Sequence, residues 1–65
     1  MYQGEMSWDE AKAAMKEGNK VRNRHFTNEE FFKMEDGKIF CEMGYRMDGW
    51  YRGEDWQKTG WSIIQ

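Results

Sequence analysis

Residues 7–22 constrain this chain more than any other stretch, because they specify both ends of a short helix and the strand that follows it. Ser7 can accept hydrogen bonds from the first free backbone N–H groups, and Glu10, three residues on, can reach back to close a capping box. Gly18 stands where a left-handed residue ends a helix, with Lys12 and Lys16 toward its negative end. Trp8, Ala11, Ala14 and Met15 recur at helical spacing, so one face of this helix is buried. Lys20 to Phe26 then alternates as a strand, with Val21, Asn23 and His25 on one side and Arg22, Arg24 and Phe26 on the other. Val21 is expected to face the helix, which puts the two arginines and Phe26 on the opposite side.

A second local signal is the pair Asp36-Gly37, the preferred residues for a two-residue type I′ hairpin turn. The turn sets the register between Phe31–Glu35 and Lys38–Met43. One face of the hairpin then carries Phe32, Met34, Ile39, Cys41 and Met43 and is expected to pack on the helix. The other carries Phe31 and Phe40 as diagonal neighbours, ringed by Lys33, Lys38, Glu35 and Glu42. Gly44 and Asp48-Gly49 punctuate a further strand or loop pair around Tyr45–Met47 and Trp50–Arg52. A single helical turn can start at Gly53–Trp56, and Trp61–Ile64 reads as a closing strand. The expectation is α+β: one N-terminal helix packed on a small antiparallel sheet, in one domain over residues 1–65.

With 65 residues the chain buries a smaller fraction of its surface than a larger domain does, and conformational entropy nearly cancels what burial provides. The single Cys41 excludes an internal disulfide, and His25 and Cys41 are too few soft ligands for a structural zinc site. Four Trp, three Tyr and four Phe are more large rings than such a small interior encloses, which points to a homo-oligomer, a dimer or tetramer. The net charge of −2 is interspersed along the chain. Duplex-binding proteins draw their affinity largely from neutralised phosphates, so neither a duplex partner nor general nonspecific DNA or RNA binding is expected. No apolar run reaches the length of a membrane span and no signal peptide is evident, so no membrane partner is expected. One free cysteine fits a reducing cytoplasm.

Enzyme chemistry finds no constellation here. Ser7 and Ser62 share a single histidine, and Ser7 is already used as a cap. Cys41 lies on the apolar hairpin face, where thiols are inert. The acidic pairs Glu29-Glu30, Glu35-Asp36 and Glu54-Asp55 fall in turns, where carboxylates are solvated or cap locally. No glycine-rich phosphate loop is present, and no cofactor is implied.

Binding is better supported. Among the arginines Arg22, Arg24, Arg46 and Arg52, three sit within two residues of an aromatic: Arg24 with Phe26, Arg46 beside Tyr45, and Arg52 with Trp50 and Tyr51. Guanidinium groups grip phosphate oxygens and flat rings stack on bases. Stacking contributes about 1–3 kcal/mol per base. The same arginines can instead pair with surface acids. Trp8 and Trp61 read as core, His25 as a neutral hydrogen-bonding residue, and Trp50, Tyr51 and Trp56 equally as core or as ligand or subunit contacts.

The motif Trp8-Asp9-Glu10-Ala11, the exit Gly18-Asn19-Lys20-Val21-Arg22 with Phe26 following, the hairpin Asp36-Gly37-Lys38 and the tail Gly60-Trp61-Ser62-Ile63-Ile64 together resemble a family of phage proteins. These are the anti-defence sponges of the Thoeris anti-defence and anti-CBASS type. The chain departs from their pattern at Phe26, where tryptophan is common, and at Gly60, where an acid usually precedes Trp61. The resemblance implies a non-enzymatic oligomer in the host cytoplasm. It implies capture of a cyclic nucleotide signal, a cyclic dinucleotide or a cyclic ADP-ribose isomer, in pockets shared between subunits. On that reading Arg22, Arg24, Arg46 and Arg52 hold phosphate, and Phe26, Tyr45, Trp50, Tyr51 and Trp56 stack on bases. The alternatives are a phage protein that inhibits a host or defence protein by direct binding, and a structural protein with no ligand.

Overall fold

The structure, a computed structural model, describes residues 6–64. The outermost residues of the single-domain expectation, 1–5 and 65, lie outside the described residues. The elements run α1 (Trp8–Lys16), β1 (Lys20–Asn23), β2 (Phe32–Glu35), β3 (Lys38–Cys41), α2 (Asp55–Lys58) and β4 (Trp61–Ile64). The four strands form one antiparallel sheet in the order β3-β2-β1-β4, with α1 lying against β1, β4 and β2. The fold is the small α+β arrangement the sequence predicts.

Helix α1 begins and ends as its sequence dictates. Ser7 Oγ accepts from the Glu10 N–H at 3.1 Å, and a Glu10 carboxylate oxygen accepts from the Ser7 N–H at 2.8 Å. Two orphan donors of the first turn are thereby satisfied within one local loop. At the other end Gly18 adopts φ +97°, a conformation that costs an L side chain but not glycine. Trp8, Ala11, Ala14 and Met15 are the buried residues of the helix. They meet Val21, Phe32 and Trp61 from the sheet to form the core. Fully burying one such large side chain contributes roughly 1.5–3 kcal/mol.

The hairpin register is also as read: Glu35 faces Lys38, Met34 faces Ile39, Lys33 faces Phe40 and Phe32 faces Cys41. Asp36 and Gly37 both have positive φ, 54° and 77°, which the right-handed twist of the paired strands requires of this turn.

Three local expectations fail, each for a visible reason. Strand β1 stops at Asn23 rather than Phe26. The Asn23 side chain accepts from the His25 N–H at 2.9 Å, and its carbonyl accepts from the Phe26 N–H at 2.9 Å. This local turn competes with strand extension. It swings Phe26 onto the core side, edge-on to Phe32 and Trp61, and leaves His25 and Arg24 exposed. Met43 leaves the apolar hairpin face because β3 ends at Cys41 in a tight turn, Gly44 N–H to Cys41 C=O, and its side chain is exposed. Tyr45–Met47 forms no regular strand. It returns along β3 through a lone bridge, Phe40 with Arg46, and through Met47 N–H to Ile39 C=O.

Candidate functional site

Residues 49–57 carry no long regular element, and their shape comes from one buried side chain. Gln57, in α2, is almost fully buried. Its Oε1 accepts from the N–H groups of Arg52 (2.9 Å) and Glu54 (3.2 Å), and its Nε2 donates to the Trp50 carbonyl at 3.0 Å. One amide thus satisfies three backbone groups of an irregular loop, which otherwise would be stranded at a partly buried surface. Asn23, fully buried in β1, performs the same service beneath α2, donating to the carbonyls of Trp56 (3.2 Å) and Thr59 (3.0 Å). These two amides were not singled out from the sequence. The signal was present: an asparagine in an otherwise β-forming run is unfavourable unless its amide is used, and Glu54-Asp55-Trp56-Gln57 has the spacing of a helix-starting box.

So anchored, Trp50 becomes the hub of the aromatic cluster. Its ring lies 4.8 Å from that of Phe32, 5.6 Å from Trp56, 5.8 Å from Trp8 and Trp61, and 6.0 Å from Phe26. Trp50 meets Phe32, Trp56, Trp61 and Phe26 near the perpendicular, the edge-to-face geometry that ring quadrupoles favour. Trp56 projects from the cluster and is partly exposed. Its indole N–H donates to Glu54 Oε1 at 3.0 Å, and His25 meets it edge-on at 5.6 Å.

Around these rings the surface is concave. One depression, of about 280 Å³, is lined by Gly49, Trp50, Arg52, Glu54, Trp56 and Gln57. On the far side of Trp56 a broader, open one of about 500 Å³ is lined by His25, Phe26, Glu30 and Trp56. A third, of about 180 Å³, adjoins through Phe26, Glu30 and Trp50 and runs toward Cys41 and Met47. Trp56 therefore stands as a wall between a hollow bearing a guanidinium and a hollow bearing an imidazole and a carboxylate. That arrangement can hold a flat, anionic molecule. It presents no nucleophile with a base beside it, and no group of three or more His, Cys, Asp or Glu is placed to hold a metal among the described residues.

Of the nine residues singled out from the sequence, the structure gathers four here: Phe26, Trp50, Arg52 and Trp56. The others are dispersed. Tyr51 stacks flat on Trp8, 4.9 Å and 4° between planes, covering the start of α1. Arg22 lies on the opposite sheet face, where a terminal nitrogen donates to the carbonyls of Phe26 (3.0 Å) and Thr27 (3.4 Å) and Nε is buried without a partner. Arg24 crosses close over Gly60, where an added Cβ would lie 3.1 Å from its Cγ. Tyr45 is exposed at the turn after β3, and Arg46 beside it is held by both carboxylate oxygens of Asp48. Arg52 forms no side-chain hydrogen bond or ion pair among the described residues, and its guanidinium is exposed at the mouth of the first depression. His25, Glu30 and Glu54 join the site without having been counted in it.

Comparison with protein-family descriptions, with curated proteins and with solved structures finds no match to this chain.

Proposed function

We propose that this protein is a non-enzymatic binder that captures a cyclic nucleotide signal of bacterial antiphage defence and withholds it from its effector in the host cytoplasm. The observation that carries the reading is Arg52, an exposed guanidinium without a carboxylate partner among the described residues, at the rim of a hollow walled by the Trp50 and Trp56 rings. The guanidinium supplies a fork for phosphate and the rings supply faces for bases, at about 1–3 kcal/mol per stacked base. Sequestration needs roughly nanomolar affinity, about −12 kcal/mol. An open hollow on one small protomer falls short of that, so the reading includes a second copy closing over the site as a homo-oligomer. The identity of the signal as a defence nucleotide rests on the sequence resemblance to sponge proteins.

The test is a melting-temperature screen of the purified protein against cyclic di- and trinucleotides and cyclic ADP-ribose isomers. At a hundredfold excess over the dissociation constant the bound ligand adds about 2.7 kcal/mol. For a domain of this size that raises the midpoint by about 10–20 °C. Heating the complex should return the ligand chemically intact. A flat screen, or recovery of an altered nucleotide, defeats the reading. One observation favours a second reading, direct inhibition of a host or defence protein: Met43 and Tyr45 stand 68% and 66% exposed on the turn after β3. Under it a host protein co-purifies and is lost on Tyr45→Ala.

A further inference from the structure

The sheet face turned away from α1 has a composition that the chain's net charge conceals. Alternation along the strands places Lys20, Arg22, Ser62, Ile64, Lys33, Glu35, Lys38 and Phe40 on this face, opposite the one that meets the helix. Phe31 joins them, since the Lys20 ammonium lies 4.9 Å from the centre of its ring. β1 and β2 meet antiparallel through the pair Val21 and Phe32. Two partial rows run across this face, Ile64 with Lys20, and Lys33 with Phe40 and, through the lone bridge, Arg46. Five cationic side chains share this surface. Among the described residues, only Glu35 (3.5 Å from Lys33 Nζ) and Asp48 (on Arg46) pair with them through carboxylates. Phe31 and Phe40, both half-buried, sit among these cations.

The geometry points to a binding surface for single-stranded nucleic acid on this face, separate from the hollows around Trp56. Phe31 and Phe40 offer stacking platforms, and Lys20 and Lys38, which have no carboxylate partner among the described residues, line the path of the phosphates together with Lys33. Stacking on rings beside cations is the sequence-tolerant mode by which sheets hold single strands. The charge pattern favours this occupant over a second copy of the chain, because a two-fold pairing of this face would bring its excess of cations against itself. A net negative chain is no obstacle, since attraction is set by the charge within a screening length of about 10 Å. The surface is independent of the nucleotide hollow and stands whether or not that hollow is occupied.

The experiment is fluorescence anisotropy of a labelled twelve-nucleotide oligothymidylate titrated with the full chain. In 50 mM salt the midpoint should fall below about 100 µM, the weak end of nonspecific binding. Three phosphate contacts give a log–log salt slope of about −2 for a single strand, so 200 mM salt should weaken binding about 20-fold. Phe40→Ala should weaken it fivefold or more, and Lys38→Glu, at an exposed position that leaves the fold intact, by a similar factor. Unlabelled cyclic dinucleotide should leave the anisotropy unchanged. No binding at 500 µM protein, binding untouched by both substitutions, displacement by the cyclic dinucleotide, or a concentration-dependent dimer abolished by Phe40→Ala would each overturn the assignment.

Discussion

In residues 7–41 each element is specified by its own neighbours in sequence, whereas residues 42–60 contain a single helical turn and take their shape from side chains far away in the chain. Helix α1 closes its own N-terminus through Ser7 and Glu10, and the hairpin closes its own turn through Asp36 and Gly37. The loop from Trp50 to Thr59 instead hangs from two buried amides, Gln57 and Asn23, and from the rings packed around Trp50. The lesson is a division of labour. The self-specified region supplies a floor, and the candidate site is built on the region that needs the floor in order to have a shape at all.

The largest effect that would break this comparison is expected at the joint between the regions. Trp61 is fully buried, touches Trp8, Phe26, Phe32 and Trp50, and donates its indole N–H to the Gln57 carbonyl at 2.8 Å. Trp61→Ala should cost about 3–5 kcal/mol, most of the stability available to a domain of this size. Far-ultraviolet circular dichroism should show the whole chain unfolded at 25 °C. A protein that keeps its helix while losing only the loop would mean that the two regions are not joined there.

Gln57→Ala sharpens the contrast. It strands the Trp50 carbonyl and the N–H groups of Arg52 and Glu54, at about 1–3 kcal/mol. Hydrogen exchange should speed up in residues 50–59 and remain slow in α1. Equal loss of protection in α1 would contradict the division.

Gly60→Ala acts on the same seam more gently. Gly60 has φ +86°, and a Cβ there would lie 3.1 Å from Arg24 Cγ, an exposed side chain that can move aside. The left-handed backbone sets the cost, about 1–2 kcal/mol, read as a drop in melting temperature. The smallest change is Ser7→Ala, which removes one capping bond for about 1 kcal/mol, or about 4–8 °C in midpoint. It should leave ligand binding by the loop unchanged, because the bond removed joins Glu10 to Ser7 and does not reach the loop.

The same division decides what could be read in advance. The capping box, the buried stripe Trp8, Ala11, Ala14 and Met15, the hairpin register and β4 are all local patterns, and all stand in the structure. Alternation puts Phe26 on the wrong side because it assumes a continuing strand, and the Asn23 turn ends it. Of the candidate site, Trp50, Trp56 and Arg52 were legible as unspent rings and charge near glycines. Their grouping with His25 and Glu30 was not, since it depends on contacts 20 or more positions apart. Arg46 illustrates the limit most plainly: its aromatic neighbour suggested a ligand contact, and two positions away Asp48 occupies its guanidinium.

The most direct test of the account is a nitrogen–proton correlation spectrum recorded while the best ligand of the cyclic nucleotide screen is added. The Trp56 indole and the backbone amides of Arg52 and Glu54 should shift together, while Tyr45, Arg46 and the indole of Trp61 stay in place. Shifts centred on Tyr45 and Arg46, or a spectrum unmoved by every nucleotide of the panel, would contradict it.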